Sequence, residues 1–233
     1  MNIDLFFQTY FRGFSDGLFQ TLMKDDRYKN IVTGFSASIQ ITLLAAVIGV
    51  LLGLITAILK LRNKGFLVSI ANAYVTVIRG TPAVVQLTII YFVLLAGKGL
   101  PDIVIGSIAF GINSGAYVSE IIRAGIMAVD RGQMEAGRSL GLSYGKTMQY
   151  IIIPQAIKNV LPALGNEFIV LLKETSIAGY VGILDLNKAG QRIANITYDA
   201  FYPSFFVAYI YFILTTTLAA GMNKLESRLR KSD

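Results

Sequence analysis

The chain has 233 residues, 54% hydrophobic and 15% charged, with a mean hydropathy of +0.59 and a formal net charge of +7. Soluble domains run at about 45–50% apolar and about 25% charged, so this composition points away from them. Cys and His are both absent, which excludes a cysteine nucleophile, a Ser-His-Asp relay, disulfides, and zinc or haem sites built on those ligands.

The first element is amphipathic. Phe6, Phe7, Tyr10, Phe11, Phe14, Leu18 and Leu22 recur at helical spacing, with Asp4, Gln8, Arg12, Ser15 and Asp16 mostly between them. This predicts an interfacial helix within residues 1–30, or more plainly a peripheral packing helix. Asp4 and the lack of a basic leader argue against a cleaved signal. Residues 30–59 then carry no charge. A bilayer core takes about 20 apolar residues in a helix, so this run reads as a first span. Residues 80–97 read as a second. Residues 103–119, continuing through Glu120 and Arg123 to 129, read as a third. Residues 159–172, which contain Glu167, form a fourth, and 200–223 a fifth. The expectation is an all-α polytopic membrane fold with five transmembrane helices in a domain over 31–225, followed by a basic tail over 226–233. Buried core helices of a soluble protein are the competing reading, and the length of the first and last runs opposes it.

The positive surplus reports topology rather than nucleic acid. Lys60, Arg62 and Lys64 follow the first run; Arg131, Arg138, Lys146 and Lys158 lie between the third and fourth; Lys224, Arg228, Arg230 and Lys231 follow the last. Five spans place these clusters on one side, which the positive-inside rule makes cytoplasmic. The N-terminus then lies outside and the C-terminus in the cytoplasm. Lys98, Lys188 and Arg192 fall on the outer side, as do Lys24, Arg27 and Lys29, which Asp25 and Asp26 offset.

Two connections, 63–69 and 98–102, read as short loops. The cytoplasmic segment 130–158 is long, and long connections in compact domains are usually functional. Residues 133–140 favour a short helix. Gly141 fits its C-cap and Ser143 the N-cap of a second helix over 144–153, where Pro154 kinks or restarts the chain. Two short helices meeting at a glycine make a protruding knob with its tip at 138–145. Gly141 to Thr147 imitates a phosphate-binding loop, but three residues separate its glycines where four are needed, and no strand precedes it. No nucleotide site or cofactor is expected in this chain.

At this segment the sequence resembles a known family. Glu135-Ala136-Gly137, Gly141 and Ile151-x-Ile153-Pro154 match in spacing the EAA loop of bacterial ABC-importer permeases, with Gly137 in place of the second Ala and Ile153 in place of a Leu. Arg79-Gly80-Thr81-Pro82 with Gln86, Gly115-Ala116-Tyr117-x-x-Glu120-Ile121-x-Arg123, and Leu172-Lys173-Glu174-Thr175-Ser176 resemble the polar amino acid branch. The resemblance covers roughly residues 33–224. It implies a non-enzymatic subunit in the bacterial inner membrane. It also implies a second permease subunit, identical or not, an ABC ATPase subunit that binds ATP and Mg, and an extracytoplasmic amino-acid-binding protein. Glu135, Ala136, Gly137, Arg138, Gly141 and Leu142 would then form the coupling helix seated in the ATPase.

Charges inside spans are functional candidates. Glu120 and Arg123 are spaced to pair with each other. Asn113, Tyr117 and Glu120 share a helix face that can line a pathway. Arg79 precedes a helix break at Thr81 and Pro82, near Gln86, where freed backbone groups need partners. Asn166 and Glu167 lie in the fourth span. Lys173 and Glu174, nearer its outer end, form a local ion pair or a gate. Asp199, just before the last span, departs from the basic or neutral residue of many relatives. Glu120, Glu167 and Asp199 along one pathway favour a basic amino acid such as arginine, lysine or histidine; Asp199 facing outer solvent is the plainer alternative. A secondary transporter is the first rival, although such proteins usually show internal repeats and more spans. An uncoupled channel or scaffold is the second.

Overall fold

The computed structural model describes residues 3–61 and 65–230, with side chains over 13–61 and 65–228. Arg62, Asn63, Lys64 and Lys231 therefore lie outside it, as do the side chains of Phe6, Phe7, Tyr10 and Phe11. The described residues form helices joined by short turns: α1 (Ile3–Met23), α2 (Tyr28–Lys60), α3 (Phe66–Gly80), α4 (Ala83–Ile89), α5 (Asp102–Met127), α6 (Arg131–Ser139), α7 (Tyr144–Thr147), α8 (Ile153–Glu174), α9 (Leu186–Thr197) and α10 (Phe201–Arg230). A π-helical turn extends α4 through Leu94, and another joins α7 to α8. The latter lets the chain run on into α8, with Pro154 in its first turn.

The scaffold is the α2–α5 pair. α2 has 33 residues, about 50 Å of helix at 1.5 Å per residue. Gly49 and Gly53 on α2 face Gly111 and Gly115 on α5. A Cβ at Gly53 would stand 2.5 Å from Val118 Cγ1, and one at Gly111 2.6 Å from Ile48 Cβ. Lipid tails are as apolar as leucine, so close backbone approach and dispersion hold such helices together, and small residues four apart permit it. The partners along the seam fix direction. Gly106, early in α5, lies against Ile41, whereas Lys60 at the end of α2 reaches Glu120. The helices are therefore antiparallel, and the end of α5 that leads into α6 is the end where α2 finishes.

α3 and α4 pass at their junction through a bend of 110°. Pro82 has no N–H and sits extended (ψ 137°), ending one helix and opening the next. α8 returns along α5, with Gly125 closed against Val160. One apolar core joins Ile41, Leu87, Phe110, Leu171 and Ile183; a second joins Leu22, Ile31, Leu186, Ile193 and Val207, tying α1, α2, α9 and α10. α1 also lays Phe14 against the rings of Phe201 and Tyr202.

Three sequence expectations change here. α3 starts at Phe66, inside the stretch read as a short loop over 63–69. The second span, expected at 80–97, is only the later arm of the bent pair. α9 was not anticipated as a helix. By length and apolarity, α2 and α10 qualify as spans, and the bent pair makes a third if counted as one. α5 and α8, at 26 and 22 residues, are long but carry the charges of Glu120, Arg123, Glu167 and Lys173. α10 runs across the expected boundary at 225/226 as one helix to Arg230.

Candidate functional site

The break between α3 and α4 gathers five of the expected residues. Gln86, 7% exposed, donates its amide to the carbonyls of Ile78 (2.7 Å) and Thr81 (3.0 Å) and to Thr81 Oγ1 (2.8 Å). Its Oε1 accepts from Asn113 Nδ2 on α5 at 2.9 Å. Thr81 Oγ1 donates to the Val77 carbonyl. Carbonyls that the bend strips of helical partners are thus satisfied by side chains, as buried backbone requires. Asn113, Gln86 and Thr81 are occupied with this stitching. Arg79 is exposed, and its guanidinium lies 5.3 Å from the Tyr117 ring centroid, within cation–π range.

Glu120 is neutralised twice. Lys60 Nζ approaches its Oε1 at 2.5 Å and Arg123 its Oε2 at 2.9 Å. The Lys60 and Glu120 side chains are 13% and 19% exposed, so this triad fastens α2 to α5 and leaves no free carboxylate at that position. The Glu120–Arg123 pairing follows from the spacing. Lys60 was read only as a topology charge, and nothing in the linear sequence links it to a residue sixty positions away.

Glu167 is different. It is half-buried on α8, and its Oε1 accepts one hydrogen bond, from Ser114 on α5 at 2.9 Å. Among the described residues no cation pairs with it. Glu174 follows seven residues later, close to the same helix face. It is half-buried and likewise without an ion pair among the described residues. Lys173 beside it is exposed, and so is Asn166. Asp199 stands apart in a turn: its Oδ1 accepts from the Phe201 N–H at 2.8 Å, at the start of α10.

Asp185, unremarked in the sequence, organises the end of the bundle opposite α6. It is fully buried. Its Oδ1 accepts from the Lys188 N–H, capping α9, and its Oδ2 from the Gly179 N–H. Burial pushes its carboxyl above the usual range, against the pull of those backbone donors. Ser38 on α2 accepts from the Leu186 N–H beside it. An Asp three residues before a Lys, ahead of an amphipathic run, was the available signal for this cap.

The first helix of the expected knob, α6, starts two residues earlier than read because Asp130 caps it through the Gly132 N–H at 2.6 Å, and the second, expected over 144–153, runs on past Pro154 into α8. α6 ends at Gly141, with φ +84°, a conformation that costs other residues about 1–2 kcal/mol. The Leu142 N–H reaches back to the Gly137 carbonyl, closing the turn. Ser143 caps α7. Gly137 is buried, and a Cβ there would stand 2.5 Å from Thr147 Cγ2; this accounts for glycine where the motif has alanine. Glu135, Ala136, Arg138 and Gly141 are exposed, with Leu142 half-exposed. Leu140, 82% exposed, and Tyr144, 57% exposed, present an apolar tip that the sequence reading did not single out.

A scan of family signatures matches residues 49–231 to the binding-protein-dependent transport system inner membrane component. The chain belongs to this family. It is 38% identical over 205 residues to the arginine transport system permease protein ArtQ of Bacillus subtilis (strain 168), covering 87% of this chain and 94% of that one. It is 39% identical over 201 residues to a putative glutamine transport system permease protein GlnP of Rickettsia felis, with coverages of 85% and 92%. A crystal structure of an amino acid ABC transporter with histidines superposes with a TM-score of 0.83 at 45% identity, covering 89% of this chain and 97% of that one. The methionine transporter MetNI, in an inward-facing form, shares the fold at a TM-score of 0.76 and 17% identity, with coverages of 88% and 99%. The protein is therefore an amino acid ABC transporter permease, a membrane subunit of a class that is not itself enzymatic. The matched residues 49–231 take in the α6–α7 knob, the break at Thr81–Pro82 and the Glu167 face.

Proposed function

We propose that this permease takes up basic amino acids, such as arginine, lysine and histidine. The observation that carries this reading is Glu167, a half-buried carboxylate with a single neutral partner and no cation among the described residues. An unpaired carboxylate in a low-dielectric span is costly unless it takes up a proton or a cation visits it, and a cationic solute supplies that charge. The arginine-system relative and the structure with histidines support the same class. Glu120, already held by Lys60 and Arg123, contributes to the scaffold rather than to selectivity. Asp199 has one oxygen engaged and stands second to Glu167 as a charge determinant. Thr81, Gln86 and Asn113 hold the break in shape, Arg79 and Tyr117 lie beside it, and Asn166 flanks the acid.

In this reading five crossings put the N-terminus outside and the knob and C-terminus in the cytoplasm. A separate ABC ATPase, holding ATP and Mg, receives Glu135, Ala136, Gly137, Arg138, Gly141 and Leu142, with Leu140 and Tyr144 in its cleft. A second permease subunit completes the pathway, and an extracytoplasmic binding protein delivers the solute. Closure of the ATPase pair displaces the knob, and α5 and α8 carry the displacement into the membrane.

The test is uptake by the reconstituted transporter. Glu167→Gln lowers arginine uptake about tenfold or more while glutamine uptake holds, one charge interaction being worth about 1.4 kcal/mol or more. Equal loss for both solutes, or none for arginine, rejects the basic-substrate reading. Orientation is tested by single-cysteine labelling, which the absence of native Cys makes clean. Tyr144→Cys must react only from the cytoplasmic side and Lys98→Cys only from outside.

A further inference from the structure

A cavity of about 360 Å³ lies where α8 ends and α9 and α10 begin. It is lined by Lys173 from the last turn of α8, Ser176 from the following turn, Asn187 from α9, and Ser204, Val207 and Tyr211 from α10. None of these residues belongs to the polar groups at the helix break or to the Glu167 face. The volume falls in the range of about 300–1,000 Å³ typical of small-molecule sites.

Its chemistry is one-sided. Lys173 brings a positive charge, and among the described residues no carboxylate lies within 4 Å of its Nζ. Ser176 and Ser204 add hydroxyls, and Asn187 an amide whose Nδ2 is tied to the Ser176 carbonyl at 3.2 Å. The Tyr211 hydroxyl is sealed from solvent and meets hydrogen-bond geometry with no group, although Ser38 and Thr175 lie near it. Among the described residues no acid lines the cavity, although the Asp185 carboxyl lies near Tyr211, and Val207 supplies an apolar wall. A lysine among hydroxyl donors suits a small anion with several acceptor lone pairs.

We infer that this cavity binds the α-carboxylate end of the transported amino acid, with Lys173 as its charge partner and Ser176 and Ser204 as hydrogen-bond donors. The α-carboxylate is the group shared by glutamine and arginine, the solutes in the names of the relatives. The inference rests on the amino acid permease assignment and not on the preference for basic side chains, so the two fail separately.

The experiment is equilibrium binding to the assembled permease–ATPase complex in nanodiscs, using two ligand pairs that differ only in the carboxylate. Labelled arginine is displaced by arginine or by agmatine; labelled glutamine is displaced by glutamine or by 4-aminobutanamide. In the wild-type transporter the amino acid of at least one pair outcompetes its decarboxylated counterpart about tenfold or more, as one charge-assisted hydrogen bond implies. Lys173→Met removes that advantage and leaves affinity for the amine unchanged, whereas Lys173→Arg keeps most of it. Ser204→Ala, a change at an exposed residue that the fold tolerates, reduces the advantage about threefold. If only the glutamine pair shows the effect, the basic-substrate reading fails and this inference stands. An undiminished advantage in Lys173→Met overturns it. So does a transporter that binds neither amino acid, including one in which the cavity takes an anionic lipid headgroup, detected as phosphatidylglycerol retained by wild type and lost from Lys173→Met.

Discussion

The seam between α2 and α5 and the knob of α6 and α7 solve opposite problems. The seam is closed by glycines, with Gly53 against Val118 and Gly111 against Ile48. Among the described residues its salt-bridged fastening is at one end, where Lys60, Glu120 and Arg123 meet. The knob is held by local devices: the Asp130 cap, the left-handed Gly141 and the Ser143 cap. It leaves Leu140 and Tyr144 open. The seam loses stability when a methyl group is added. The knob loses little when Leu140 is truncated, because that side chain is 82% exposed. Rigid scaffold and exposed contact element are thus separable by mutation.

The largest effect belongs to the seam. Gly53→Leu forces a branched side chain into a space that rejects even a Cβ, and it costs about 3 kcal/mol, the upper end of overpacking penalties. A thermal-melting series of the purified subunit in detergent checks this; a melting point equal to wild type removes the seam from the argument. Next comes the ion triad. Lys60→Met leaves Glu120 with Arg123 alone and costs about 2 kcal/mol, between values for buried and exposed pairs. Glu120→Gln in the same background should add little, since the coupling has already been lost. Full additivity of the two changes breaks the claim that Lys60 fastens α2 to α5.

The contrast also explains what could be read from sequence. The knob was legible because caps, glycines and proline act over four or five residues, so local spacing is the structure. The long uncharged runs were legible because a bilayer demands length. The break at Thr81–Pro82 was visible in its proline. The helix before it was not, because Asn72, Tyr74 and Arg79 interrupt the apolar run while being tolerated on a tilted, partly exposed helix. Lys60 with Glu120, and Ser114 with Glu167, pair across 60 and 53 residues, and only the helix packing brings them together. Asp199 carries a local task that its charge did not reveal: one of its oxygens accepts from the Phe201 N–H at the start of α10.

Asp185 sharpens the comparison at the far end of the bundle. It is the seam's counterpart in burial and the knob's in chemistry, a cap that also ties the turn after α8 to α9. Asp185→Asn keeps the volume but replaces one acceptor oxygen by a donor, so either the Lys188 or the Gly179 N–H loses its partner. The expected cost is about 1 kcal/mol, as for loss of a helix cap. Slower amide exchange protection loss across α9 than across α2 would contradict it; the predicted order is α9 first.

The smallest effect on stability, and the most informative about function, is Leu140→Ser. At 82% exposed the side chain buries almost nothing within the chain, so the stability of the isolated subunit should stay within about 0.5 kcal/mol of wild type. Retention of the ATPase during purification should fall several-fold, since an apolar anchor in a partner cleft dominates such contacts. Gly141→Asp is the control with the opposite weighting. It strains a residue at φ +84° by about 1–2 kcal/mol and misdirects the whole tip, so it should uncouple ATP use from uptake while the chain stays in the membrane. If Leu140→Ser destabilises the subunit as much as Gly141→Asp does, the tip is part of the scaffold and the division between seam and knob fails. If it leaves both stability and ATPase retention untouched, the contact lies on another face of α6, with Glu135 and Arg138 the residues to change next.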